Sequence, residues 1–414
     1  MNRTELRMAL RTLSFLDSQA HREEGFLELA GEPRPKLLVW HPEAIDWIFH
    51  SDPGLEHPGS RSLMPLFGKD SLLWVDGPRH SSYRRLLGPP LRGRRLHSYR
   101  DLIAHTVHEA VDALRPGQVV SIPEWTRQVA LRVMGRLVLG DGAEGLLKQF
   151  ADWIERALGA RGRTLAYRFL LGGLPRSSAE LDRQLVDKAK ANAETEPRTL
   201  AALLLSQEGL LGQVDDHELR DQIVSLLFAG HETTAAATAW TLYWIDRDEN
   251  LRHDLRTELA AVSDDAPEPA QVPLLQAVIQ EALRLAPPVT VAENRKLPEG
   301  GEILGRSLPP GSVVTTSIYL AHRRPDYFPD PLRFDPGRFL SRRVPPQHYL
   351  PFGGGSRHCL GNQLGQLETR MITAALLRRR EWHCVNPEAA VLQLRGHAMA
   401  PATKLRMKVT ACRN

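Results

Sequence analysis

The sequence has little cysteine: three residues in 414, Cys359, Cys384 and Cys412. Three thiols cannot pair into a disulfide framework, and their spacing offers no zinc site, so a reducing cytoplasm is the expected location. Long apolar runs are missing as well. The longest, such as Ala201–Leu205, fall far short of the roughly eighteen residues of a membrane span. The start, Met1–Arg7, lacks the apolar core of a signal peptide, so neither a membrane anchor nor secretion is expected. No repeat or low-complexity linker divides residues 1–414, which predicts one domain. Nor is charge of one sign in large excess, the formal net charge being +4. Arginines cluster at Arg84, Arg85, Arg92, Arg94 and Arg95 and again at Arg378, Arg379 and Arg380. No nucleic-acid-binding motif accompanies them, so they read as a solvated face and no nucleic acid partner is expected.

What is present is a helix-rich pattern. The chain carries 42% hydrophobic and 25% charged residues, the balance of a soluble globular protein. From about Ser98 to Leu259 apolar residues recur at helical spacing, for example in Thr126–Leu139 and Gly145–Leu158. Asp216–Asp246 predicts one long helix, with acidic residues at its start that suit the N-terminus. Leu274–Leu285 predicts another, ended by Pro287 and Pro288. Gly159–Ser178 reads as a surface loop, and Ala189–Pro197 and Gln207–Asp216 as polar connectors. Strand-like pieces are short: one within Pro35–Ile48 ahead of a helix, several between Pro287 and Pro336, then Ala390–Leu394 and Lys404–Thr410. The fold class is mainly α with small β-sheets.

Cys359 ends the glycine-rich, basic stretch Phe352-Gly353-Gly354-Gly355-Ser356-Arg357-His358-Cys359-Leu360-Gly361. Behind it Leu364, Leu367, Met371, Ala374, Ala375 and Leu376 mark the buried face of a helix. A cysteine just ahead of a helix N-terminus sees unpaired N–H groups and the positive end of the dipole, which favour its thiolate. Consecutive glycines let the backbone lie against something large, because no Cβ holds it away. A thiolate on such a platform beside an arginine suits a bulky, anionic, metal-bearing cofactor, and haem fits. The same residues also read as a glycine-rich turn around a buried free cysteine.

Within the long helix lies Ala229-Gly230-His231-Glu232-Thr233-Thr234. Glycine inside a helix costs up to about 1 kcal/mol relative to alanine. Small residues at 229 and 230 leave space on the helix face, and a threonine hydroxyl can take the carbonyl one turn back. The expected result is a notch with a hydroxyl and a carboxylate beside it; the alternative is a helix crossing of small residues with a surface glutamate. Glu281 and Arg284 lie three apart on one helical face.

These segments together resemble the cytochrome P450 family. The cysteine stretch matches Phe-x-x-Gly-x-Arg-x-Cys-x-Gly, the haem-thiolate loop. Ala229–Thr233 resembles the family's [Ala/Gly]-Gly-x-[Asp/Glu]-Thr segment, Glu281 and Arg284 its Glu-x-x-Arg helix, and Phe334–Phe339 the meander whose arginine, here Arg338, joins that pair. Asp76–Arg84 resembles Asp-x-Pro-x-His-x-x-x-Arg. The resemblance runs from about Pro35 to Val409. Departures are Gly77 for a frequent proline, Arg247–Asn250 for the usual His-Pro, and Gly365 for a common alanine.

By that resemblance the fold is a triangular helical prism around haem b, iron protoporphyrin IX. Cys359 is the iron ligand; Phe352, Gly353, Gly361, Ala229 and Gly230 flank the haem; His80, Arg84, Arg295 and Arg357 meet its propionates. Thr233 steadies bound dioxygen and Glu232 connects it to solvent protons. Glu281, Arg284 and Arg338 form a structural triad clamping the haem loop. The implied activity is monooxygenation of a bulky, largely apolar molecule such as a terpenoid, polyketide or fatty acyl compound, with O2 as co-substrate. The chain stops about 55 residues after Cys359, too short for a reductase domain. Electrons are therefore expected from a separate ferredoxin or flavodoxin with its NAD(P)H reductase, docking on Arg92, Arg94, Arg95, Arg378, Arg379 and Arg380. Alternatives are a peroxide-dependent haem-thiolate enzyme or isomerase, against which the Glu232–Thr233 pair argues, and a haem-based ligand sensor, for which no output domain is seen. The implied substrate walls are Pro58–Leu73, Gly159–Leu174, Val224–Ala229, Val289–Glu293 and His397–Pro401. Glu293 stands out among these residues, either meeting a polar group of the substrate or turning outward.

Overall fold

The computed structural model describes residues 2–59, 63–160, 162, 164, 166–167, 173–206, 208–262, 269–395 and 398–413. Its principal helices are α1 (Pro42–Ser51), α2 (Gly77–Leu87), α3 (Arg100–Asp112), α4 (Ile122–Leu139), α5 (Glu144–Leu158), α6 (Ala179–Ala193), α7 (Asp216–Asp246), α8 (Glu249–Ala260), α9 (Pro273–Leu285) and α10 (Asn362–Arg379). The strands are β1 (Phe26–Ala30), β2 (Lys36–Val39), β3 (Val119–Ser121), β4 (Arg295–Lys296), β5 (Gly301–Ile303), β6 (Arg306–Leu308), β7 (Val313–Thr316), β8 (Arg380–Cys384), β9 (Leu392–Arg395), β10 (Ala398–Pro401) and β11 (Arg406–Cys412). Among the described residues no helix is long and apolar enough to cross a membrane.

Backbone contacts divide the chain into two compact units, Met1–Ser60 with Gln280–Cys359 and Arg61–Ile279 with Leu360–Asn414. The first unit is built on a sheet of order β1-β2-β7-β4. Its one parallel pairing, Lys36 opposite Val313 through Val39 opposite Thr316, joins distant parts of the chain. Leu37, Val39, Ala44, Ile48, Leu297, Ile303, Leu308 and Val314 form a dry cluster that seats α1 and the β5–β6 hairpin on this sheet.

The second unit is a helical body carrying the two remaining sheets, β3-β11-β8 and β9-β10. Helix α7 starts where Asp215 caps it by accepting from the Glu218 amide at 2.8 Å. Most of its length is buried, as is most of α4, against which it packs. At their crossing a Cβ on Gly230 would lie 2.4 Å from the Met134 sulfur. The glycine is therefore a packing requirement, and Met134 fills space that the sequence reading left as part of a notch.

Other departures from expectation are local. Ala189–Ala193 continues α6 instead of forming a connector, because Val186 and Ala189 still face the interior. Glu208–Leu211 makes a short helix inside the Gln207–Asp216 segment. In Gly159–Ser178, residues 162, 164, 166 and 167 are helical, whereas 161, 163, 165 and 168–172 lie outside the described residues. The same holds for 60–62 in Pro58–Leu73 and 397 in His397–Pro401.

Candidate active site

The cysteine loop belongs to the first unit. The Cys359 amide donates to the Phe352 carbonyl at 2.9 Å, closing the turn. Gly355–Arg357 forms one turn of 3-10 helix within it. Gly353 (φ 66°) and Gly355 (φ 67°) occupy the left-handed region, which a side chain resists. A Cβ on Gly354 would lie 2.3 Å from the Phe49 ring, and one on Gly355 2.6 Å from the Asp52 carboxylate. Two of the three glycines thus allow close approach to the protein itself. Gly353 differs: a Cβ there would meet nothing within 4 Å. Cys359 is exposed, whereas Cys384 is buried, and none of the three cysteines is in a disulfide. The alternative of a buried structural cysteine therefore fails for Cys359 and describes Cys384, whose thiol is pushed well up by burial.

Asp52, just beyond α1, organises this loop and gave no signal in the sequence. It is fully buried. Its Oδ2 accepts from the Ser356 amide at 2.7 Å and from the Ser356 hydroxyl. Its Oδ1 accepts from Arg295 Nε at 2.8 Å and lies 3.2 Å from His57 Nε2. Burial alone would raise the Asp52 carboxyl, but hydrogen bonds from His57, Ser356 and Arg295 outweigh it and hold the group far below the usual carboxylate range. Arg295 also donates to the Glu293 carbonyl at 2.7 Å and the Gly354 carbonyl at 3.0 Å. It is buried and fixed in place. Glu293 turns toward Arg357, its Oε2 lying 3.7 Å from Arg357 Nε, an arrangement that neither sequence reading foresaw.

The structure brings Glu281, Arg284 and Arg338 together in the same unit. Arg284 and Glu281 have side chains with no exposure and pair in two parallel bonds of 2.7 and 2.8 Å. Arg284 donates further to the carbonyls of His322 (2.9 Å), Pro331 (2.7 Å) and Arg333 (3.2 Å). Arg338 Nε lies 3.4 Å from Glu281 Oε1. The pair thus ties α9 to the meander by satisfying backbone groups that would otherwise be stranded.

The second unit carries the other expected residues. His80 is buried and Arg84 half-buried, four apart on α2. That helix is tied to α7 by Arg79, which donates from Nε to Glu218 at 2.8 Å, while the Tyr83 hydroxyl reaches the same carboxylate. On α7, the Thr233 hydroxyl donates to the Ala229 carbonyl at 2.8 Å, and the helix runs unbroken through this turn. Ala229 is exposed and Thr233 half-buried. Glu232 Oε1 lies 3.3 Å from His231 Nε2 and 3.9 Å from Arg127 Nε. Burial pushes its carboxyl up, but His231 and Arg127 outweigh this and hold it below the usual glutamate value. Phe228 packs on Phe67 with ring centroids 4.5 Å apart. Gly361 caps α10, with nothing within 4 Å of an added Cβ.

Of the six arginines expected to form one docking face, Arg92, Arg94 and Arg95 are exposed. The other three are committed to structure. Arg378 donates to the carbonyls of Leu259 (2.9 Å) and Val262 (2.5 Å). Arg379 pairs with Asp112, and buried Arg380 donates to the Leu114 carbonyl at 2.9 Å.

An exposed soft sulfur donor, on a loop whose Gly353 leaves its outer side clear, fits a flat iron macrocycle. Among the described residues no group of three or more His, Cys, Asp or Glu is placed to hold a metal, so an iron ligated here would draw on the macrocycle for its other ligands.

Comparison with known proteins agrees. Residues 176–409 match the family model described as Cytochrome P450. The chain is 30% identical over 391 residues to putative cytochrome P450 135B1 of Mycobacterium tuberculosis (90% of this chain, 82% of the relative). It is 32% identical over 403 residues to cyclooctatin synthase of Streptomyces melanosporofaciens (90% of this chain, 86% of the relative). Its fold superposes on a retinoic acid-bound cyanobacterial CYP120A1 with a TM-score of 0.85 and 25% identity, covering 97% of this chain and 95% of that one. A mainly helical fold with small sheets, a loop ending on an exposed cysteine and relatives of this extent lead to one assignment: the chain belongs to the cytochrome P450 family of haem-thiolate monooxygenases.

Proposed function

We propose that the chain inserts one oxygen atom from O2 into a C–H or C=C bond of a bulky, largely apolar small molecule of the terpenoid, polyketide or fatty acyl class. The electrons come from a separate ferredoxin or flavodoxin and its NAD(P)H reductase. The observation that carries this reading is the exposed Cys359 thiol on a loop fixed from behind by buried Asp52. Haem b, when bound, supplies the iron at which O2 is reduced and the oxidant that attacks the substrate.

This chain's residues have definite tasks toward that group. Cys359 would hold its iron through sulfur, with Phe352, Gly353 and Gly361 beside it. Arg295 offers a propionate a guanidinium already immobilised by Asp52, Glu293 and Gly354, so little side-chain entropy is lost on binding. Arg357, His80 and Arg84 are the other propionate partners. Ala229 borders the haem on the α7 side, where Thr233 orients a hydroxyl and Glu232 connects it to solvent protons. The substrate class is supported by the mostly aliphatic residues of the expected walls, and by relatives whose names carry cyclooctatin and retinoic acid.

The test is spectroscopic and kinetic. Reduced wild-type protein with CO is expected to give the thiolate–haem absorbance band, and Cys359→Ala to lose it, while Cys384→Ala and Cys412→Ala keep it. Retention of the band by Cys359→Ala would refute the ligand. A library of terpenoid, polyketide and fatty acyl compounds, screened for displacement of iron-bound water and then for product with a surrogate ferredoxin, tests the substrate class.

A further inference from the structure

His231 stands between two oxygen acceptors. Its Nδ1 lies 2.7 Å from the Leu227 carbonyl, one turn back on α7. A carbonyl oxygen can only accept, so Nδ1 carries a hydrogen. Its Nε2 lies 3.3 Å from Glu232 Oε1. If the ring were neutral with Nδ1 protonated, the Nε2 lone pair would face a carboxylate oxygen, and two lone pairs at that distance repel. A proton therefore belongs on one of the two atoms: on Nε2, giving imidazolium and carboxylate, or on Oε1, giving neutral imidazole and carboxylic acid.

The surroundings restrict the alternatives. The ring is 2% exposed, with Phe150 of α5 edge-on at 5.9 Å and Phe228 at 6.4 Å, so water does not replace either contact. Arg127 of α4 is the other charge beside Glu232, at 3.9 Å, and has Glu155 of α5 at 3.7 Å on its other side. Arg395 of β9 pairs with that same Glu155. Among the described residues no further charged group contacts His231 or Glu232. Arg127 favours the ionised carboxylate, which places the resting proton on Nε2.

We propose that His231 and Glu232 hold one proton in common, and that this pair, not the carboxylate alone, is the proton reserve beside Thr233. The idea rests on the monooxygenase reading above. In delivery the Nε2–H bond breaks as an Oε1–H bond forms, and the Oε1 proton then leaves toward the Thr233 side. The ring is left neutral, with Nδ1–H still donating to Leu227. The Nε2 lone pair is now beside the carboxylate, and that repulsion favours recapture of a proton, which returns to Nε2 through Oε1 of the half-buried Glu232. His231 acts through Glu232 and is a positioning residue: it decides where the carboxyl's proton rests between turnovers.

The test uses the haem-loaded protein. Imidazole 15N shifts in the diamagnetic ferrous–CO form, assigned by comparison with His231→Gln, report each ring nitrogen directly. Protonated Nδ1 and a protonated or proton-sharing Nε2 are expected at pH 7; an Nε2 shift typical of a bare, unbonded nitrogen would overturn the proposal. His231→Gln keeps an N–H toward Glu232 but cannot release it. It is expected to lose coupled turnover by roughly tenfold, less than loss of a direct acid–base group, to raise the solvent isotope effect, and to remove one titration from the pH profile. Substrate affinity and first-electron rate should hold. Rescue by glutamine, with wild-type pH profile and isotope effect, would show a merely structural histidine. Should the variant fail to fold, the wild-type nitrogen shifts, assigned by their pH response and nuclear Overhauser contacts to Phe150, decide alone. Thr233→Ala separates the two ideas: uncoupling into peroxide there, with no effect of His231→Gln, defeats only the shared proton, whereas full coupling in Thr233→Ala defeats both.

Discussion

Asp52 Oδ2 accepts both the amide and the hydroxyl hydrogen of Ser356, so one buried carboxylate fixes the middle of the loop that ends on Cys359. The same group takes Arg295 on its other oxygen. Neutralising it strands a buried guanidinium as well as loosening the loop.

Asp52→Asn should therefore cost about 3–5 kcal/mol, the range for breaking one side of a buried ion pair. The protein should be poor in haem, and thermal unfolding with the haem-to-protein ratio measures both effects. Because the folded Asp52 carboxyl is held below its unfolded value, its stabilisation is complete above roughly pH 4 and is lost as pH falls below that. Wild type minus Asp52→Asn stability should be flat from neutrality to about pH 4 and shrink in stronger acid. A difference that instead vanished between pH 6 and pH 8 would assign the effect elsewhere.

Arg284→Lys should fail to replace arginine. A lysine cannot reproduce the paired bonds to Glu281 while also serving the carbonyls of His322, Pro331 and Arg333. Both Arg284→Lys and Glu281→Ala are expected to lose about 3–5 kcal/mol and to purify with reduced haem. Normal haem content in both would show that the loop does not depend on this pair.

Charge reversal separates the exposed arginines from the committed ones. Arg94→Glu should slow reduction by an acidic ferredoxin and weaken the dependence of that rate on salt, leaving stability unchanged. Arg379→Glu places a second carboxylate against Asp112, so its main effect should be a lower unfolding temperature. Stopped-flow reduction at two ionic strengths, with thermal melts, distinguishes them. Equal kinetic effects would return Arg379 to the docking face.

Glu368 of α10 is fully buried, and neither carboxyl oxygen has a hydrogen-bond partner among the described residues. Burial pushes its carboxyl well above the usual value, so it folds as the neutral acid. The folded state then binds a proton that the unfolded chain releases above roughly pH 4.3. Stability should accordingly fall by about 1.4 kcal/mol per pH unit from there until the folded group itself ionises. Glu368→Gln should remove that slope. Parallel curves for wild type and variant between pH 5 and pH 8 would mean that the carboxyl is ionised.

Local signals carried most of the fold. The acidic start and unbroken apolar pattern of Asp216–Asp246 gave the observed bounds of α7, because caps and periodicity act within a few residues. The roles that could not be read are those set by partners far along the chain. Gly230 looks like a gap until Met134 is seen beside it. Arg378, Arg379 and Arg380 look like a free basic patch until Leu259, Asp112 and Leu114 are placed. Asp52 follows a helix as many aspartates do, and nothing near it in sequence announces Arg295 or Ser356. For Cys359 the sequence could say that a thiolate is favoured. That it stands exposed, and Cys384 does not, depends on packing.

The 304 residues between Asp52 and Ser356 also set an order of assembly on the ribosome. At about 5–20 residues per second, Asp52 waits roughly 15–60 s before the loop it anchors has been synthesised. For most of that time the β1–β2 hairpin has emerged without β7, leaving the edge of Lys36–Val39 that later takes Val313–Thr316 in parallel register uncovered. Nearly all of the second unit's helices are made in that interval, before the first unit can close. The cysteine loop is thus the last part of its unit to find its anchor, and a nascent chain cut short of residue 356 lacks both the serine that Asp52 holds and Cys359 itself.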